Sequence, residues 1–251
     1  MKILKVKKVY VFFSAIVAFM LHLPFAFSNP TSFSYEKTIK ISDSSTAVLP
    51  IAVLTSSKIY DSLNLGIRGL SEQAFTYAFK GYEYLKLKGK IANDNIISIA
   101  DFSRPSSQKR FFVIDIKNFK ILFNTYVAHG QGSGSAMATA FSNIPESYQS
   151  SLGFYTTSST YMGKNGYSMH LEGMERGIND KANERAIVMH GAPYVSENFI
   201  NNLGFLGRSW GCPAVPEKLN KPIIEKIKNG TCLFIFSKNE KYLNNSKILN
   251  S

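Results

Sequence analysis

Cysteine, histidine and tryptophan are scarce in these 251 residues: there are two cysteines, four histidines and one tryptophan. Two cysteines cannot build a disulfide framework, and there is neither a Cys-x-x-Cys pair nor a His-Glu-x-x-His motif to close a zinc site. A zinc hydrolase would have to gather His129, His170, His190, Cys212, Glu172 and Glu175 from distant loops. No metal and no cofactor are therefore expected. The run Gly130-Gln131-Gly132-Ser133-Gly134-Ser135 is not followed by the Lys of a P-loop and completes no dinucleotide fingerprint. Lys plus Arg outnumber Asp plus Glu 29 to 17, but no compact basic run with interleaved aromatics appears. Lys109-Arg110 is one short surface pair, so nucleic acid is not an expected partner. Beyond residue 30 no window holds 18 consecutive apolar residues, too few for a spanning helix.

What is present is apolar mass: 45% hydrophobic and 13% aromatic residues are enough for one sizeable core. Lys2, Lys5, Lys7 and Lys8 precede an apolar run over residues 9–23, followed by Pro24, Ala26 and Ser28. A positive start, a short apolar centre and small residues at −3 and −1 read as a secretory signal over 1–28, cleaved near Ser28–Asn29. An uncleaved anchor is the alternative, although the run is shorter than the roughly 20 apolar residues a span needs. No cysteine lies near residue 28 for lipoprotein processing. Without the four lysines the net charge falls from +12 by four to +8. The expected location is the periplasm or cell envelope, with no stable membrane insertion after cleavage, and an exported chain of this charge meets cell-wall polymers first.

Residues 29–54 read as a Ser/Thr-rich lead-in, 55–237 as one domain and 238–251 as a polar tail. Ser71 is a plausible N-cap for a helix whose apolar positions Ala74, Phe75, Ala78, Phe79, Tyr82 and Leu85 recur at helical spacing, with Gly89 as its stop. Strand-like runs over 96–102, 111–116 and 119–128 imply two adjacent hairpins. From 130 to 183 the chain is Gly-, Ser- and Asn-rich, with short strands such as 167–171 between long loops. A buried strand over 186–189 ends at His190; after a long loop come a helix over 216–228 and a last strand over 231–236.

The two cysteines differ in surroundings. Cys232 lies in an apolar strand, where a thiol packs as a small hydrophobe. Cys212 lies in Gly-Arg-Ser-Trp-Gly-Cys-Pro, a loop entering a helix, where N–H groups and the helix dipole are expected to lower a thiol pKa of about 8.5. Gly211 leaves the sulfur open to approach, and His190 at a rigid strand end is the best-placed proton acceptor. A Cys212–Cys232 disulfide in a non-catalytic wall-binding module is the competing reading.

The pieces Val188-Met189-His190-Gly191-Ala192, Gly207-Arg208-Ser209-Trp210-Gly211-Cys212-Pro213 and Asn229-Gly230-Thr231-Cys232-Leu233-Phe234-Ile235 resemble the L,D-transpeptidase (YkuD-type) family of peptidoglycan enzymes. The segment 110–116 and His129-Gly130 with the Ser-rich loop after it are similar to the murein L,D-transpeptidase branch. The resemblance covers about residues 95–237. It implies a mostly β body, barrel-like or sandwich-like, with flanking helices and a nucleophile loop leading into a helix. It also implies Cys212 as nucleophile, His190 as base, the N–H groups of Gly211 and Cys212 as oxyanion hole, and His129, Ser209, Trp210 and Arg208 near substrate. Ser209 either holds the turn or touches substrate. Many members have His where Trp210 stands, which removes a second imidazole. The implied reaction is acyl transfer from a tetrapeptide donor stem to the amine of an acceptor stem, giving a 3→3 cross-link, by a carbapenem-sensitive monomer. Hydrolysis at the same site would make it an L,D-carboxypeptidase.

Overall fold

The computed structural model describes residues 51–251; the signal reading and nearly all of the lead-in lie outside them. Helix α1 (Ile51–Ser62) precedes α2 (Glu72–Leu87), which starts where the Ser71 side chain accepts the Ala74 N–H at 3.2 Å. The expected apolar positions form the buried face of α2, and Gly89, at φ +63°, follows its end. Strands β1 (Ile96–Asp101), β2 (Phe111–Asp115) and β3 (Lys120–Thr125) are the two expected hairpins, antiparallel at both joins. Then follow β4 (Gly153–Gly163), β5 (Gly166–Gly173), β6 (Val188–Ala192), α3 (Glu197–Leu203), β7 (Ala214–Pro216), α4 (Glu217–Ile227), β8 (Cys232–Phe236) and α5 (Glu240–Asn245).

All eight strands join one sheet in the order β3-β2-β1-β8-β4-β5-β6-β7. Every residue of β1 and β8 is buried, as for strands covered on both faces, and such strands read as continuous apolar runs. Phe154 of β4 stacks on Phe234 of β8 with centroids 4.2 Å apart. Past β3 the chain continues to Ala128, whose N–H donates to Ala214 O at 2.8 Å, so one end of the sheet is turned onto the other. This near-closure satisfies part of the β7 edge and brings residues 128–131 against the loop that carries Cys212. The architecture is thus mostly β with flanking helices. Among the described residues no helix is long and apolar enough to cross a membrane.

Three expectations need correction. The 238–251 tail is part of the fold: Tyr242, Ile248 and Leu249 are buried, and Tyr242 and Ser246 donate hydrogen bonds to the Glu175 carboxylate. Its lysines and asparagines mask buried positions three to four residues apart. The loop-rich reading of 130–183 misses β4, because that Thr/Ser-rich strand is solvent-facing over its second half and shifts register between Thr157 and Thr160. Arg110 is no surface residue; it is fully buried on the Phe102 ring, 4.6 Å from its centroid.

Candidate active site

The loop 207–213 is held against residues 129–131 as a short parallel ribbon: Ser209 N–H donates to His129 O at 3.0 Å and Gln131 N–H to Ser209 O at 2.8 Å. Gly130 permits the approach, since a Cβ there would lie 2.4 Å from Tyr148 O and 2.8 Å from Gly211 Cα. Ser150 Oγ pins the same place, accepting from Gly130 N–H and donating to Gly211 O, both at 3.0 Å. Gly211 adopts φ +123°, where a side chain is disfavoured. Ser209 Oγ accepts the Gly211 N–H at 3.1 Å and donates to Cys212 O at 2.7 Å. Ser209 thus holds the turn from within.

Cys212 Sγ meets the Val188 N–H at 3.5 Å and Ala186 O at 3.7 Å. Burial pushes this thiol above its ordinary value, opposed by the Val188 N–H and by Arg185. The expected helix-mouth lowering is outweighed by this burial, and in the chain β7 stands between Cys212 and α4. Both cysteines are free thiols, so the disulfide reading is corrected as well. Cys232 is fully buried in β8, and burial drives its thiol far up.

His190 is the third residue of β6 rather than its end, paired in register with Ala214, two residues beyond Cys212. Its Nδ1 lies 2.9 Å from Gly191 O; a carbonyl only accepts, so Nδ1 carries the proton and Nε2 is the basic nitrogen, with no partner among the described residues. Burial lowers the His190 pKa. At neutral pH the pair therefore rests as neutral thiol and neutral imidazole, and the group that orients the imidazole is a backbone carbonyl.

The expected substrate residues divide. His129 has no exposed surface: its Nδ1 accepts from Arg110 Nη2 at 2.7 Å and its Nε2 faces Gly134 O at 3.2 Å. Burial, then the Arg110 charge, hold its pKa down at about 4. Trp210 is 70% exposed, 5.5 Å from the Tyr148 ring. Arg208 is exposed, with Nη1 3.2 Å from Gly134 O. Both belong to the 207–213 loop and face solvent. His170 stacks on Tyr161 and pairs in register with Val188, the residue whose N–H meets the Cys212 sulfur. No local signature in the sequence points to Ser150 or Arg185, whose partners are backbone atoms and hydroxyls of other segments, or to the bond of Arg110 to the His129 imidazole. Among the described residues no three His, Cys, Asp or Glu side chains group to hold a metal.

The L,D-transpeptidase catalytic domain family matches residues 67–236, and the chain belongs to that family of peptidoglycan-modifying envelope enzymes. No curated protein matches it. Among solved structures it is similar to an L,D-transpeptidase from Mycobacterium smegmatis, 12% identical, over 57% of this chain and 59% of that one, with TM-score 0.35. L,D-transpeptidase 3 from Mycobacterium tuberculosis is 13% identical over 57% and 61%, TM-score 0.36. The helical cell shape determining protein Pgp2 from Campylobacter jejuni is 13% identical over 65% and 55%, TM-score 0.38. The chain spans about three fifths of the length of the first of these structures, and the family assignment rests on the domain match.

Proposed function

We propose that the chain is an exported cysteine L,D-transpeptidase that acts on peptidoglycan tetrapeptide stems and forms 3→3 cross-links. The observation that carries this reading is the placement of the free Cys212 thiol at the Val188 N–H of β6, the strand that carries His190 two residues on with its Nε2 unengaged. Two residues of strand span roughly 7 Å, within reach of the two side chains once a substrate carbonyl lies between them.

The thiol proton passes to His190 Nε2 as Sγ attacks the carbonyl of stem residue three. The tetrahedral intermediate collapses with cleavage of the bond to the terminal D-alanine, whose nitrogen takes that proton, and a thioester remains. The acceptor amine then attacks the thioester, gives its proton to Nε2, and the proton returns to the departing sulfur. The Cys212 N–H has no acceptor among the described residues and is the ready oxyanion donor. The Gly211 N–H is held by Ser209 Oγ and contributes only after exchanging that bond; one such donor is worth about 3 kcal/mol. Trp210 and Arg208 line the donor side.

The test is intact-mass analysis of the folded chain after incubation with a carbapenem or a disaccharide-tetrapeptide, beside Cys212→Ala. A covalent adduct on the parent protein and none on the variant is the expected result. An adduct that survives in Cys212→Ala, or none on the folded parent, overturns the reading. Product analysis with an acceptor stem separates cross-linking from L,D-carboxypeptidase hydrolysis.

A further inference from the structure

Arg185 lies five residues before His190, outside the segments that carry the family resemblance, and no role follows for it from the reaction as written. Its Nη1 donates to Ser142 O at 2.8 Å and Ser151 Oγ at 2.5 Å, and its Nη2 to Gln149 O at 2.6 Å and Ser147 Oγ at 3.3 Å. One guanidinium therefore gathers the segment 142–151, the same segment whose Ser150 pins Gly130 and Gly211. The head group also abuts the nucleophile loop directly: a Cβ on Gly211 would sit 3.3 Å from Nη2. The next residue, Ala186, turns at φ +51° and presents its carbonyl to the Cys212 sulfur.

All four partners are carbonyls or hydroxyls. Among the described residues no carboxylate forms an ion pair with this guanidinium, so its positive charge is not neutralised by a neighbour. Its Nε is buried without a hydrogen-bond partner among them. Arginine stays charged, and a charge in a partly dry site acts further than it does in water. Arg185 and Tyr194 interact electrostatically with the Cys212 thiol, and His190 of β6 and His170 of β5, paired with Val188, stand on the strands beside it. Burial pushes the Tyr194 phenol up to about 12, so it is neutral, and His190 is kept neutral by burial. Arg185 is then the cation acting on the sulfur.

We propose that Arg185 is a positioning residue of the nucleophile, holding the 142–151 segment under the Cys212 loop and supplying the positive charge that stabilises the Cys212 thiolate. The proposal rests on Cys212 as the nucleophile, but its test needs no turnover. Iodoacetamide alkylation of Cys212 is followed by peptide mass mapping across pH in the full folded chain, with Cys232 as the buried internal control. Arg185→Gln is expected to move the Cys212 profile upward by about one pH unit, a roughly tenfold loss of rate at a fixed pH below the midpoint. Arg185→Lys keeps the charge and loses the fork, so its profile should stay near the parent's while its melting temperature falls. An unshifted profile in a folded Arg185→Gln protein overturns the proposal, as does Arg185→Lys shifting upward by as much as Arg185→Gln. If Arg185→Gln does not fold, the Lys variant decides alone: a profile within about 0.3 unit of the parent's upholds the proposal, and an upward shift of about one unit rejects it. Failure to acylate with substrate while these shifts appear would count against the transpeptidase reading and not against Arg185.

Discussion

Cys212 and Cys232 carry the same side chain twenty residues apart, and they are held by different forces. Cys232 lies mid-sheet, paired with Ile97 of β1 on one side and Thr156 of β4 on the other, and apolar packing seals it from water. The Cys212 loop is held by hydrogen bonds from residues 129–131, from Ser150 and from its own Ser209, with β6 groups facing the sulfur. Packing tolerates small changes of position, whereas a ribbon of polar bonds fixes where a sulfur stands relative to an imidazole. Apolar packing is concentrated where the sheet is continuous, and the candidate site lies where its two ends meet.

The comparison breaks most sharply at Cys212 itself. Cys212→Ala is expected to remove acyl-adduct formation by about 10³-fold or more while changing stability by less than about 1 kcal/mol, read by intact mass and by urea denaturation. A variant that still acylates would end the assignment. His190→Gln should slow adduct formation by about 10²–10⁴-fold in a folded protein; a drop below about tenfold would mean that another group takes the proton.

His129 sharpens the contrast from the structural side. His129→Ala leaves a buried Arg110 N–H without its acceptor and Gly134 O with Arg208 alone, and should cost about 3 kcal/mol in urea denaturation. The pH dependence has a definite sign. The folded-state value of about 4 lies below the ordinary 6.5, so between those pH values the unfolded chain binds a proton that the folded chain refuses. Stability from this group is present above pH 6.5 and is lost on acidification toward 4, by up to about 3 kcal/mol. Urea midpoints at pH 7.5 and 4.5 should therefore differ less in His129→Ala than in the parent; an equal difference would place the acid sensitivity elsewhere. The smallest effect belongs to Cys232→Ala, about 1 kcal/mol of lost packing with adduct formation within about twofold of the parent. Loss of acylation there, with the fold intact, would erase the distinction between the two thiols.

Most of the sheet centre was legible because burial on both faces demands continuous apolar runs, and 96–101 and 232–236 supply them. The α2 face was legible from its spacing and its Ser71 cap. The strand β4 was not, since Thr and Ser on a half-solvated strand resemble loop composition. The burial of His129 was not legible for a related reason: a Gly- and Ser-rich flank looks exposed, yet here those small residues let backbones approach within contact of one another.

The sequence by itself determined the central strands, the caps and the identity of the candidate nucleophile and base, because each depends on periodicity or on neighbours within a few positions. Tertiary structure alone decided that a carbonyl orients His190, that burial outweighs the helix dipole at the Cys212 thiol, and that Arg185 stands beside the thiol. The Arg185 placement depends on partners 34 to 43 residues away in the chain, and all three outcomes depend on backbone course and packing that leave no pattern in local sequence.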